Sequence, residues 1–119
     1  MKYLSALLLI ISIPAHAGWT TGEKVAEVTY LTLHTADWLQ TRFIAKHPQT
    51  YYESFNTVLG SHPSVGKVNL WFASTALLQP LIADALPHSW RKLWIGTGIG
   101  MEFILTTHNA QIGIRMEIQ

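Results

Sequence analysis

Cysteine is absent from this 119-residue chain, so no disulfide can compensate for a thin core and no thiolate chemistry is open to it. Charge is scarce as well: Asp, Glu, Lys and Arg make up 13% of the residues, eight basic against seven acidic. Without a basic excess there is nothing to hold a phosphate backbone, which argues against nucleic acid as a partner. No serine stands in a G-x-S-x-G elbow and no H-E-x-x-H metal motif occurs. The glycines Gly96, Gly98 and Gly100 have neither the preceding strand nor the following lysine of a phosphate loop. There is no internal repeat and no low-complexity tract.

What the chain does contain begins with "MKYLSALLLIISIPAHAGW". One lysine, an apolar run from Leu4 to Ile13, Pro14 and then Ala15-His16-Ala17 are the parts of a secretory signal in order, with a cut expected after Ala17. A single domain over residues 18–119 then remains. Removing Lys2 leaves it seven basic and seven acidic residues. A chain of this size without staples has to bury its apolar surface, and the bilayer is the expected place.

Three long segments follow. The first covers about 23–46, opened by a capping box of Thr20 with Glu23 and closed at His47-Pro48. The second covers about 65–86, with Ser64 as cap and Pro87 as stop; sixteen uncharged residues separate Lys67 from Asp84. The third covers about 89–109, with Ser89 as its cap and Glu102 its only charge between Leu93 and Ile114. Trp19, Trp71, Trp90 and Trp94 stand near segment ends, as indoles do at membrane interfaces. Gly96-x-x-x-Gly100 is the spacing that lets helices pack closely in lipid. The expectation is therefore all-α: a small three-helix membrane bundle after an N-terminal signal peptide. A short connector helix at "YYESFNTVL" and an extended tail, "QIGIRMEIQ", complete it; the tail alternates as a strand does but has no evident partner. A peripheral or soluble helical domain in the periplasm is the alternative. Arg42, Lys46, Lys67 and Arg115 against Lys24, Arg91 and Lys92 give little preference for either orientation.

Steps of four and three along the first segment collect Glu23, Glu27, Tyr30, His34, Asp37 and Thr41 on one stripe. In lipid such a stripe has to face the bundle interior. With three consecutive spans, the first and third run in the same direction. At about 1.5 Å per residue, Asp37 lies about 21 Å beyond Glu23 and Glu102 about 18 Å beyond Trp90. His34, Asp37, Asn69 and Glu102 are thus expected to converge, with Thr41, Thr106 and His108 towards the same end. Such a group suits polar glue between helices, a divalent metal with N and O ligands, or a proton path. Glu53 and Asn56 in the connector are the loop candidates, placed to cover one mouth of this layer.

The run "LHTADWLQTRFIAKHP", then "YYESFNTVLGSHPS", then "VNLWFASTALL" resembles a loose group of small, uncharacterised bacterial and phage membrane proteins. In that group an aspartate and a threonine on the first helix precede a Glu-x-Asn-Pro-like turn. Asp37 and Thr41 match the helix element; at the turn two residues separate Glu53 from Asn56, and Thr57 stands where the proline would be. The resemblance implies location and architecture and brings no activity or cofactor. The function expected is a non-enzymatic envelope or accessory component of the bacterial inner membrane. Its expected partners are the lipid bilayer and a second copy or another membrane protein. A membrane-embedded enzyme or metal site on His34, Asp37 and Glu102 comes second. A holin-like pore former comes third, and it lacks the charged C-terminal tail expected of one.

Overall fold

A computed structural model describes residues 18–119, and the expected signal at 1–17 lies outside them. Helix α1 spans Thr21–Lys46, α2 Val65–Ala85 and α3 His88–Gln111. The capping box at α1 forms in both directions: Glu23 N–H donates to Thr20 Oγ1 at 3.1 Å and Thr20 N–H to Glu23 Oε1 at 2.8 Å. Ser64 caps α2 by accepting from Lys67 N–H at 3.1 Å. At α3 the expected Ser89 cap is replaced. Pro87 takes the N-cap position and the helix begins one residue earlier, because a proline fits where no N–H is needed.

Partner numbering fixes the topology. Glu23 meets Arg91, His34 meets Glu102, and Gln40 meets Asn109. Partners on α1 and α3 rise together, so these two helices run parallel. Trp38 meets Asn69, His34 meets Thr75, and Trp19 meets Asp84. Along α1 and α2 the numbers run in opposite senses, so those helices are antiparallel. Helix α1 is the hub: it packs on both neighbours, while α2 and α3 touch each other least.

Two expectations about local structure are corrected. The connector is not helical; it is a series of turns. Glu53 Oε1 accepts the N–H groups of Phe55 and Asn56 at 3.0 and 3.2 Å, and Asn56 Oδ1 accepts those of Val58 and Leu59, both at 3.1 Å. These side chains take the backbone donors a helix would need, which is how Asx-type turns outcompete helical periodicity. Gly60, at φ +79°, closes the turn, and buried Leu59 anchors it against Val68 and Phe72. The tail, expected to be extended and without a strand partner, forms no strand. Gly113 turns the chain at φ +93°, Ile114 is buried, and Glu117 N–H donates to Leu39 O at 2.9 Å, so the tail lies along α1. The close-packed glycine also differs from the expected pair. A Cβ at Gly98 would meet the Tyr30 ring at 2.9 Å, whereas one at Gly96 or Gly100 would meet nothing within 4 Å.

Burial runs against the usual order. Twelve polar or charged residues are buried among the described residues, including Glu23, Glu27, Asp37, Arg42, Arg91 and Glu102. Nineteen large hydrophobic residues are exposed, among them Leu70 at 70%, Ile104 at 65% and Phe103 at 61%. Charged residues are ordinarily the last to be enclosed. Taken singly, no helix among the described residues is long and apolar enough to cross a membrane.

Candidate functional site: a polar column and its cleft

The stripe read from the first helix is the buried face of α1. Glu23, Glu27, Tyr30, His34, Asp37 and Thr41 are all enclosed, and each meets α2, α3 or the connector in a succession of layers.

The first layer is an ion-pair cluster. Arg91 Nη1 lies 3.4 Å from both Glu23 oxygens, and His88 Nδ1 lies 3.1 Å from each. Arg91 also donates to the carbonyls of Ala83 at 2.7 Å, Asp84 at 3.3 Å and Leu86 at 2.9 Å, and its guanidinium stacks over Trp19 at 5.1 Å. The carbonyls left open at the end of α2 are thus satisfied by a side chain of α3, and the tight α2–α3 turn is tied to α1.

One turn deeper, Glu27 is fully enclosed. Its carboxyl faces the side-chain amide of Gln79 on α2. Below them lies the centre of the column. His34 Nδ1 sits 3.0 Å from Glu102 Oε1 and 3.4 Å from the Tyr30 hydroxyl; Nε2 sits 2.9 Å from Thr75 Oγ1 and 3.3 Å from Phe72 O. The surroundings assign the tautomer. A carbonyl only accepts, and the Thr75 hydroxyl is 2.8 Å from Trp71 O, to which it donates. Nε2 therefore carries a proton and points it at Phe72 O and Thr75 Oγ1. One further proton lies between Nδ1 and Glu102 Oε1, on the ring or on the carboxyl.

Asp37 lies one turn on from His34, and the Thr41 hydroxyl donates to its backbone carbonyl at 2.8 Å and to its Oδ1 at 3.2 Å. Gln40 closes the α1–α3 contact beyond it, donating to Thr106 O and accepting from Asn109 Nδ2, both at 3.1 Å.

This centre opens to one side. A cleft of about 450 Å³ is lined by His34, Asp37, Thr41 and Glu102 from below, by Trp71, Phe72 and Thr75 from α2, and by Glu53, Phe55 and Asn56 from the connector. The Glu102 carboxyl belongs to this lining and is hydrogen-bonded to the Asp37 carboxyl as well as to His34. Such a site can share or pass a proton among Asp37, Glu102 and His34. It is not arranged for a metal: among the described residues no three His, Asp or Glu side chains are grouped to hold one.

Of the residues singled out from sequence, His34, Asp37, Thr41 and Glu102 come together, and Glu53 and Asn56 line the mouth. Asn69 does not join them. Its Oδ1 accepts from Trp38 Nε1 at 2.9 Å and Arg42 Nη1 at 2.8 Å, on another face of α1. His108 also stands apart, edge-on to Phe55 with ring centroids 5.2 Å apart. The sequence reading passed over Thr75 and Gln79. The signal for them was two polar residues one turn apart in the otherwise apolar second segment. Comparison of the chain with protein-family models, curated proteins and solved structures gave no match, so function is read from this geometry.

Proposed function

We propose that the chain is a bilayer-embedded envelope component without a reaction of its own. In this reading its three helices turn their polar stripes towards one another and their apolar sides towards lipid. One observation carries this reading. Exposed charged side chains on the helices stand only near their ends: Lys24, Asp84 and Lys92 at one end of the bundle, Lys46 and Lys67 at the other. Between them every charged helical residue (Glu27, Asp37, Arg42, Glu102) is buried.

The low hydropathy of each helix is consistent with this. A reading along one helix averages its inward polar stripe with its outward apolar one, while lipid meets only the outward one. Helices of 26, 21 and 24 residues extend about 39, 32 and 36 Å, against a hydrocarbon core of about 30 Å. Two outward threonines of α1 also suit lipid: Thr29 and Thr32 return their hydroxyls to the carbonyls of Val25 and Val28 at 2.9 and 2.7 Å.

Carbonate washing of membranes from cells making a C-terminally tagged chain tests this. The chain is expected to stay in the pellet, and release with the soluble fraction would contradict it. The pairing of His34 with Glu102 beside an open cleft favours one other reading, a membrane-embedded enzyme using His34, Asp37 and Glu102. The two separate on Glu102→Gln: if these groups only join helices, the folded yield falls, whereas a catalytic role leaves the yield unchanged.

A further inference from the structure

We propose that His34, Asp37 and Glu102 form a proton-operated latch, closed between α1 and α3 while it holds two shared protons and released when they leave through the cleft. The proton count comes from the bonding. Nε2 of His34 keeps its own proton on Phe72 O, so the 3.0 Å contact of Nδ1 with Glu102 Oε1 needs another. The Asp37 and Glu102 carboxyls are also hydrogen-bonded to each other, and two carboxylates without a proton have no donor between them. Two carboxylates and a neutral imidazole carry two negative charges, which the two protons cancel. The closed layer is therefore neutral, the state that burial favours.

No cation stands ready to offset a charge left by a departing proton. Glu27 and Tyr30 face the layer from α1 and Glu53 faces it from the connector. Helix α2 contributes Trp71, Phe72 and Thr75, which do not titrate, and no lysine or arginine lines the cleft. Arg42 is bonded to Asn69 on another face, and Arg91 to Glu23 at the end of the bundle. The layer is also placed to move a helix. Helix α3 rests mainly on α1 and touches α2 least. Arg91 ties its first turn to Glu23 and to three carbonyls of the α2–α3 turn, so that end is the pivot. Beyond the layer, α1 and α3 meet through uncharged bonds of Gln40 to Thr106 and Asn109. Repulsion in the layer thus swings the far half of α3 off α1 and widens the cleft. Once opened to water, carboxyls give up their protons near pH about 4 and an imidazole near about 6.5. Above that range the closed form binds two more protons than the open one, so rising pH favours the open form.

The layer is enclosed whatever covers the outer face, so the latch does not rest on the bilayer reading. Pairs of spin-labelled cysteines on the full chain in dilute detergent micelles test it. Thr32 with Ile104, both exposed, spans α1 and α3 near the layer; Val25 with Leu93 spans them near Arg91. As pH rises through neutrality, the first pair is expected to gain a longer, broader distance population while the second keeps its distance. The open-to-closed ratio is expected to rise about a hundredfold per pH unit, for two protons released together. In Asp37→Asn, whose amide still donates to Glu102 but holds no titrating proton, the rise is expected to fall to about tenfold. Infrared spectra near neutral pH are expected to show a protonated carboxyl band that Asp37→Asn diminishes. If that variant does not fold, the wild-type distances and band decide alone. Overturning results are a Thr32–Ile104 distance indifferent to pH, equal movement of both pairs, an unchanged pH slope in Asp37→Asn, or no protonated carboxyl band.

Discussion

Alanine at each of the three helical glycines of α3 gives a comparison in which two variants control for the third. A Cβ at Gly98 would lie 2.9 Å from both Cδ2 and Cε2 of Tyr30, while at Gly96 and Gly100 it would enter open space. Carbon–carbon contacts are most favourable at about 3.5–4.0 Å, so the new methyl sits roughly 0.6 Å or more inside that range. The ring cannot withdraw freely. It stacks on His34 at 5.4 Å between centroids, and its hydroxyl lies 3.4 Å from His34 Nδ1. Overpacking of this kind costs about 1–3 kcal/mol. Any gain in helix propensity, up to about 1 kcal/mol, is common to all three variants. The difference between Gly98→Ala and the other two therefore isolates the clash, at about 1–3 kcal/mol of destabilisation. Denaturant unfolding in dilute detergent micelles, followed by tryptophan emission, measures it. Combining Gly98→Ala with Tyr30→Leu is expected to recover part of the loss, since residues in contact couple. If all three alanine variants unfold together, Tyr30 does not pack over Gly98 and the α1–α3 register described above is wrong.

Two further outcomes follow from the column. Arg91→Lys is expected to destabilise by about 1–3 kcal/mol, since it keeps the charge opposite Glu23 but leaves buried carbonyls without a donor. A single ammonium cannot reproduce the fork that reaches Glu23 and three carbonyls of the α2–α3 turn; unfolding at the wild-type midpoint would refute this. Nitrogen-15 shifts of His34 are expected to show a proton on Nε2, and Thr75→Val is expected to weaken that site without moving the proton. A neutral ring protonated only on Nδ1 would contradict the assignment made from Phe72 O.

Much of this was legible in the sequence, and the reasons are specific. The stripe from Glu23 to Thr41 follows helical spacing without interruption, so its burial as one face of α1 could be read directly. The meeting of His34 with Glu102 follows from counting: read as three consecutive spans, the first and third helices run in the same direction, and rise per residue does the rest. Asn69 shows the limit of that counting. Its depth beside Trp38 was right, but depth does not give rotation about the helix axis, and it faces Trp38 and Arg42 instead. Glycine spacing misled in the same way, because Gly98 and not the Gly96–Gly100 pair faces Tyr30. In the connector, the helical spacing of Glu53 and Asn56 ahead of Gly60 suggested a helix. The competing turns made by Glu53 and Asn56 depend on where their side chains point, which spacing alone does not encode. Arg91 read as a surface charge because nothing local revealed that Glu23, 68 residues away, would receive it.

The reversal of inside and outside is the central claim, and probe accessibility in reconstituted vesicles tests it most directly. The chain has no cysteine, so single spin-labelled cysteines at Leu78, Leu81, Phe103 and Ile104 report unambiguously. High collision rates with oxygen and low rates with a water-soluble nickel chelate at all four positions are the result expected. Free access of the nickel chelate to these positions would mean that water, not lipid, covers the apolar face.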